Sequence, residues 1–281
     1  MKERKEFIKE MLDQYTLENR LKEHQYLIEG IDIDELNHVV SFNPSHEENV
    51  DTSIILNPTY SEIDNIKIIS IFKRKTSEDS NYDGNPLIYA LKGIKDWKFN
   101  NPKTDIINLL KQFIRISEKI EDHYDAIITV PSQNELNTEF LYRLNKIIKS
   151  DVKIEDYFWK LTAEDVFENY IDWGLLHQDF GTEYERAKKT LNKFFFIMNR
   201  DNDGYFSYKF IKDPKLRKYI KKTMATDEEK FIKYSSFING KNVLILDDTI
   251  SSGNTISEAS KNIIDTFEPK SITIVTLFSK L

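Results

Sequence analysis

Two aspartates, Asp247 and Asp248, stand side by side behind four apolar residues in VLILDDTISSGNTISEA, residues 243–259, and a loop of small hydroxyl residues follows them. Adjacent carboxylates can hold the two neighbouring hydroxyls of a ribose, or a divalent cation beside them, since both seek oxygen acceptors. Thr249, Ser251, Ser252, Asn254 and Thr255 surround a single glycine, Gly253. The hydroxyls of Ser251, Ser252 and Thr255 are hydrogen-bond donors for an anion. Such groups need a frame. Val243, Leu244, Ile245 and Leu246 form an unbroken apolar run, the mark of a strand covered on both faces, with the aspartates where that strand would end. Beyond the loop, Ile256, Ala259, Ile263 and Phe267 recur at helical spacing. A strand, loop and helix in this order leave the first N–H groups of the helix unpaired beside the loop, at the positive end of its dipole. Gly253 lets the backbone approach a ligand closely there. A sugar phosphate would satisfy both halves, with its phosphate at the helix start and its pentose at the carboxylates.

Other strand-and-aspartate motifs fit less well. The LILDD strand of a nucleoside triphosphatase would require GxxxxGK[ST] elsewhere, and Gly240 and Lys241 are followed by Asn242. A DxDx[TV] phosphatase needs one residue between its aspartates. The plain structural alternative is an acidic strand end followed by a helix capped by Ser or Asn. The run resembles the ribose-phosphate signature of the type I phosphoribosyltransferases, in which an apolar strand, two acidic residues and a T/S-rich loop with glycine bind phosphoribosyl pyrophosphate (PRPP). Carried over by position, Asp247 and Asp248 become the ribose-binding and catalytic acidic pair and the metal ligands for Mg²⁺. Thr249 and the stretch Ser251, Ser252, Gly253, Asn254 and Thr255 become the PRPP 5′-phosphate loop. Two departures stand out. Ser252 replaces the usual threonine before the glycine and keeps its hydroxyl, whereas Ser251 stands where purine-using members often carry an aspartate base, a role serine cannot fill.

At 281 residues the chain can bury a sizeable core without covalent staples. Cysteine is absent, which excludes disulfides, thiolate catalysis and zinc ribbons. The five histidines, at 24, 38, 46, 123 and 177, show no i, i+4 pairing and read as surface or packing residues. A formal net charge of −7 argues against a surface devoted to nucleic acid, although local basic patches remain open. The charged opening MKERKEFIKEMLDQY is no signal peptide, and no apolar run approaches the ~18 residues of a membrane span. A cytoplasmic protein with no membrane partner is expected.

Phe7, Ile8, Met11, Leu12, Tyr15, Leu17 and Leu21 recur at helical spacing, so an amphipathic helix or helix pair opens the chain. Short strands are expected between Gly30 and Pro58. Residues 1–60 thus read as an N-terminal α+β extension that packs on the core, covers the site or mediates a homodimer. Residues 61–281 read as one α/β domain, a parallel sheet flanked by helices of the type I phosphoribosyltransferase kind. Its strands are Ile66 to Phe72, Tyr124 to Ser132, Asp151 to Trp159, the 243–246 run and Ser271 to Phe278, with helices near 86–93, 104–120 and 134–148. PLIYALKG, residues 86–93, and the VPS ending the Tyr124 strand look like the ComF branch of the family.

Ligands of open α/β sheets gather beyond the carboxyl ends of the strands, which brings the 131–137 loop toward the 247–255 loop. By the same resemblance Ser132, Gln133 and Asn134 meet the pyrophosphate of PRPP, yet residues 131–135 hold no lysine or arginine. Transfer of the phosphoribosyl group to a nitrogenous base needs cations at that leaving group. Lys92 reads first as a solvated helix lysine and otherwise as a cation reaching the site. The run YKFIKDPKLRKYIKK, residues 208–222, reads either as a solvated basic helix or as a hood over the pyrophosphate, with GTEYERAKK, residues 181–189, as another hood. Trp159, Trp173, Phe180 and Tyr205 are core aromatics or base-stacking groups. The expected ligand is PRPP or a nucleotide 5′-phosphate with a base acceptor. A sensor or DNA-uptake or defence accessory that kept the seat and lost the reaction is the other expectation.

Overall fold

The computed structural model describes residues 30–279 apart from 35, 44–49, 52–53, 75–84, 94, 132–141, 202–203, 212 and 251–252. The expected opening helix lies outside the described residues. Strands β1 (Gly30–Asp34) and β2 (Val39–Asn43) form an antiparallel hairpin. β3 (Val50–Asp51) and β4 (Thr59–Ile63) both pair antiparallel with β5 (Ile66–Arg74). Helix α1 (Asn85–Lys92) follows, then β6 (Lys98–Phe99), which joins β2 in a small three-stranded sheet. Residue 60, the end of the expected extension, falls within β4.

Next come α2 (Pro102–Ser117), β7 (Tyr124–Thr129), a helical stretch at 142–147 and β8 (Ser150–Ile154). After an insertion described below, the chain continues through α6 (Glu228–Ile238), β11 (Asn242–Ile250), α7 (Asn254–Thr266) and β12 (Ser271–Ser279). The strand order is β3-β5-β12-β11-β7-β8, and the five strands from β5 to β8 run parallel. The expected parallel α/β sheet flanked by helices is therefore present.

Side-chain alternation along each strand divides the core in two. Ile69, Ile71, Ile127, Leu244, Leu246, Val275 and Leu277 pack with α1 and α2 residues such as Leu87, Leu91, Leu109 and Phe113. Ile68, Ala126, Ile128, Val243, Ile245 and Ile274 pack on the other face with Tyr234 and Ile238 of α6 and Ile256, Ala259 and Ile263 of α7. Strands covered on both faces need unbroken apolar runs, which is what the sequence carries at these places.

The insertion was not visible in the sequence. β9 (Trp159–Lys160) and β10 (Met224–Ala225) pair antiparallel as its neck. Between them, among the described residues, lie α3 (Ala163–Asn169), α4 (Trp173–Phe180), α5 (Tyr184–Asp201) and three 3₁₀ turns, Gly181–Glu183, Tyr208–Phe210 and Pro214–Tyr219. These elements share a third core built on Val166, Leu176, Leu191, Phe195, Met198, Phe206 and Tyr219. No helix among the described residues is long and apolar enough to cross a membrane.

Candidate functional site

β11 does not stop at the aspartates. β7 pairs with it only as far as Leu246, where the Val130 N–H donates to the Leu246 carbonyl at 2.9 Å. β12 continues alongside through Ile250. The sheet edge is stepped, and among the described residues Asp247 to Ile250 are held in the sheet from one side alone.

Alternation then sends the two carboxylates apart. Asp248 follows the Leu244 and Leu246 face toward α1, whose buried Leu87, Ala90 and Leu91 fix its last residue, Lys92, above the strand. Lys92 Nζ lies 3.3 Å from Asp248 Oδ2, and both side chains are largely buried. Lys92 is thus paired with Asp248 rather than solvated.

Asp247 lies on the α7 side, where it lines a pocket of about 40 Å³ with Thr249, Gly253, Asn254, Thr255 and Tyr208. Burial and then the charge of Asp248 push the Asp247 carboxyl up to about 7, against the Asp248 N–H, 2.8 Å from Asp247 Oδ1, and the charges of Lys92 and Lys160. Thr249 Oγ1 is buried with no hydrogen-bond partner.

Gly253 caps α7 in the left-handed region at φ 76°, and a Cβ there would sit 3.0 Å from Ile63 Cδ1 of β4. Two separate constraints therefore call for glycine. Among the described residues no side chain caps α7 and no acidic residue lies in its first turn, and its leading residues line the pocket. Ser251, Ser252, Ser132, Gln133 and Asn134 lie outside the described residues.

The basic run at 208–222 is not one helix, since Asp213 and Pro214 restart it as a separate 3₁₀ turn. Four of its cations are engaged within the insertion. Arg217 donates twice to the Ile211 carbonyl, Lys218 and Lys221 pair with Asp179 and Asp172, and Lys222 lies over Tyr170. At the other expected hood, Arg186 pairs with Glu183 and Lys188 lies over Trp173. Trp173 and Phe180 pack on the insertion core, Trp159 lies under Lys230, and Tyr205 is exposed.

Sequence reasoning missed Tyr208, Lys160 and Glu258. Glu258, in the second turn of α7, accepts from Thr223 N (2.6 Å), Thr223 Oγ1 (2.6 Å) and Met224 N (2.9 Å), binding the neck to the pocket helix. Burial raises its pKa against those three bonds. Only the topology brings these residues together, so no local signal marked them.

Away from the pocket, His123, Asp125 and Asp151 place ligand atoms within 4.8 Å of one another, but Asp125 already accepts from Asn242 N and lies 3.6 Å from Lys241 Nζ.

None of the curated proteins compared with the chain matches it. Residues 212–281 match the family model of the phosphoribosyl transferase domain. The matched segment holds α6, β11, the loop, α7 and β12, and so carries the stepped edge, both aspartates and the helix start. Through this segment, on a parallel sheet with helices on both faces, the chain is similar to the phosphoribosyltransferases.

Proposed function

We propose that the chain is a cytoplasmic phosphoribosyltransferase that binds PRPP with Mg²⁺ and transfers the phosphoribosyl group to a nitrogenous base or related acceptor. The observation that carries this reading is the pocket shared by Asp247, Thr249, Gly253, Asn254 and Thr255 within the family-matched segment. The 5′-phosphate sits at the start of α7 on the leading N–H groups and the hydroxyls of Ser251, Ser252 and Thr255. The ribose lies over the end of β11, flanked by Asp247 from the pocket side and by Asp248 from the α1 side. Ser132, Gln133 and Asn134 meet the pyrophosphate.

Two carboxylates at a sheet edge are a hard-oxygen donor set that suits Mg²⁺, and burial and then the Asp248 charge raise the Asp247 pKa, a cost that a cation beside it would relieve. Asp247 and Asp248 would hold the ion, which when bound neutralises charge on a diphosphate leaving group. Lys92 and Lys160, both close enough to pull the Asp247 pKa down, add positive charge from the chain itself. Asp247 and Asp248 also face the cationic character that develops on the sugar. We assign residues 61–281 to the transferase domain and 1–60 to an extension, and place the chain nearest the ComF branch.

The test is calorimetry with PRPP and Mg²⁺ on the wild type and on Asp247→Asn/Asp248→Asn. The expected result is binding by the wild type and at least a tenfold (~1.4 kcal/mol) loss in the variant; equal affinities would refute the assignment. A sensor without catalysis is favoured by Ser251 and by the loop at 131–135, which lacks lysine and arginine. Pyrophosphate release with a panel of bases separates the two, since a sensor binds PRPP and releases none.

A further inference from the structure

The pocket has a wall that the family match does not supply. Tyr208 lies four residues before the matched segment, on the 3₁₀ turn Tyr208–Phe210 of the insertion, yet it lines the same pocket as Asp247, Thr249 and Gly253. Its position is over-determined. The ring stands edge-on to Phe206 at 5.0 Å and packs on the insertion core. Just after it, the Ile211 N–H closes the turn on the Tyr208 carbonyl at 3.0 Å, and the Arg217 guanidinium grips the Ile211 carbonyl at 3.0 and 3.2 Å. The insertion is in turn bound to the pocket helix through Glu258. Tyr208 therefore meets the pocket as a fixed wall.

Two hydroxyls at this pocket lack partners. Thr249 Oγ1 is buried and makes no hydrogen bond. Among the described residues nothing hydrogen-bonds the Tyr208 hydroxyl, although burial and the nearby Glu258 charge raise its pKa and keep it a donor at neutral pH. A buried hydroxyl without a partner is costly, so Thr249 Oγ1 needs an acceptor from outside the protein, and the Tyr208 hydroxyl beside it is a second donor for the same acceptor. At about 40 Å³ the pocket has room for a small polar group.

We propose that Tyr208 is a phosphate-binding residue, its hydroxyl donating to a terminal oxygen of the 5′-phosphate seated at the start of α7, with Thr249 Oγ1 as a second donor. This rests on the sugar-phosphate reading above and extends it to a residue outside the matched segment. The insertion thereby takes part in ligand selection, and the seat prefers a terminal phosphomonoester over a phosphate esterified at both sides.

Calorimetry on the full chain tests this with three probes: ribose 5-phosphate, ADP-ribose, whose 5′-phosphate is esterified onward, and inorganic pyrophosphate with Mg²⁺. Wild type is expected to bind ribose 5-phosphate more tightly than ADP-ribose. Tyr208→Phe, which keeps the ring against Phe206, is expected to weaken ribose 5-phosphate about tenfold, as does the near-isosteric Thr249→Val, while pyrophosphate affinity is unchanged. Undiminished ribose 5-phosphate binding by both variants, or an equal loss for pyrophosphate, overturns the assignment of Tyr208 and leaves the transferase reading standing. Wild type that binds neither ribose 5-phosphate nor PRPP overturns both.

Discussion

Asp247 retains a proton up to about pH 7 because it sits in a poorly hydrated pocket beside the charge of Asp248. The unfolded chain releases that proton near pH 3.8. Between those values the folded state binds more protons than the unfolded one, so this group's stabilising contribution is complete below about pH 4, declines as pH rises and is gone above about 7. Asp247→Asn removes the titration. Urea denaturation should therefore show the wild type losing on the order of 2 kcal/mol relative to Asp247→Asn between pH 5 and pH 8. A gap that stays constant with pH would mean that Asp247 ionises as an ordinary carboxylate. Lys92 illustrates how such residues escape sequence reading. Helical periodicity placed it at the end of an amphipathic helix, but only the sheet register brings that end over Asp248.

Helix α7 carries the proposed phosphate seat, and the residue that caps it, Gly253, is confined twice, by a left-handed backbone and by the Ile63 side chain. Gly253→Ala should cost about 1–2 kcal/mol in thermal or chemical unfolding. Part of that comes from Ile63 Cδ1, the methyl that Ile63→Val removes. In the Ile63→Val background the same glycine substitution should therefore cost at least about 0.5 kcal/mol less, read from a double-mutant cycle. Full additivity would show that backbone strain alone sets the cost. The elements β5, β7, β11, β12, α1, α2 and α7 were legible from apolar runs and helical periodicity, because strands buried on both faces and one-sided helices leave strong patterns. The continuation of β11 past its aspartates was not, since Asp247 and Asp248 look like a strand end and only the length of β12 holds them in the sheet. The split between the two carboxylates follows from that continuation. The 208–222 stretch read either as a solvated basic helix or as a hood, and its proline breaks it into short turns that serve the insertion core.

The insertion is joined to the rest of the molecule by a short hairpin neck and by Glu258 of α7. Glu258→Ala leaves two N–H groups and a hydroxyl of Thr223 and Met224 without their acceptor, at a cost of about 2–3 kcal/mol. Because the insertion has its own core, the loss should be local. Hydrogen exchange should speed up around 208–225 while amides of β5, β11 and β12 keep their protection. Uniform acceleration across the sheet would contradict a separately cooperative insertion. Sequence patterning gave no warning of this unit, since its helices are as amphipathic as any others and its boundaries lack Gly- or Pro-rich linkers. The pairing of Lys160 with Met224 makes the insertion a detour whose two ends meet. Excising the intervening chain and closing the gap with a two-residue turn would leave every strand of the parallel sheet in register. The module is therefore exchangeable as a unit, and with it the Tyr208 wall of the pocket, without redesign of the platform beneath.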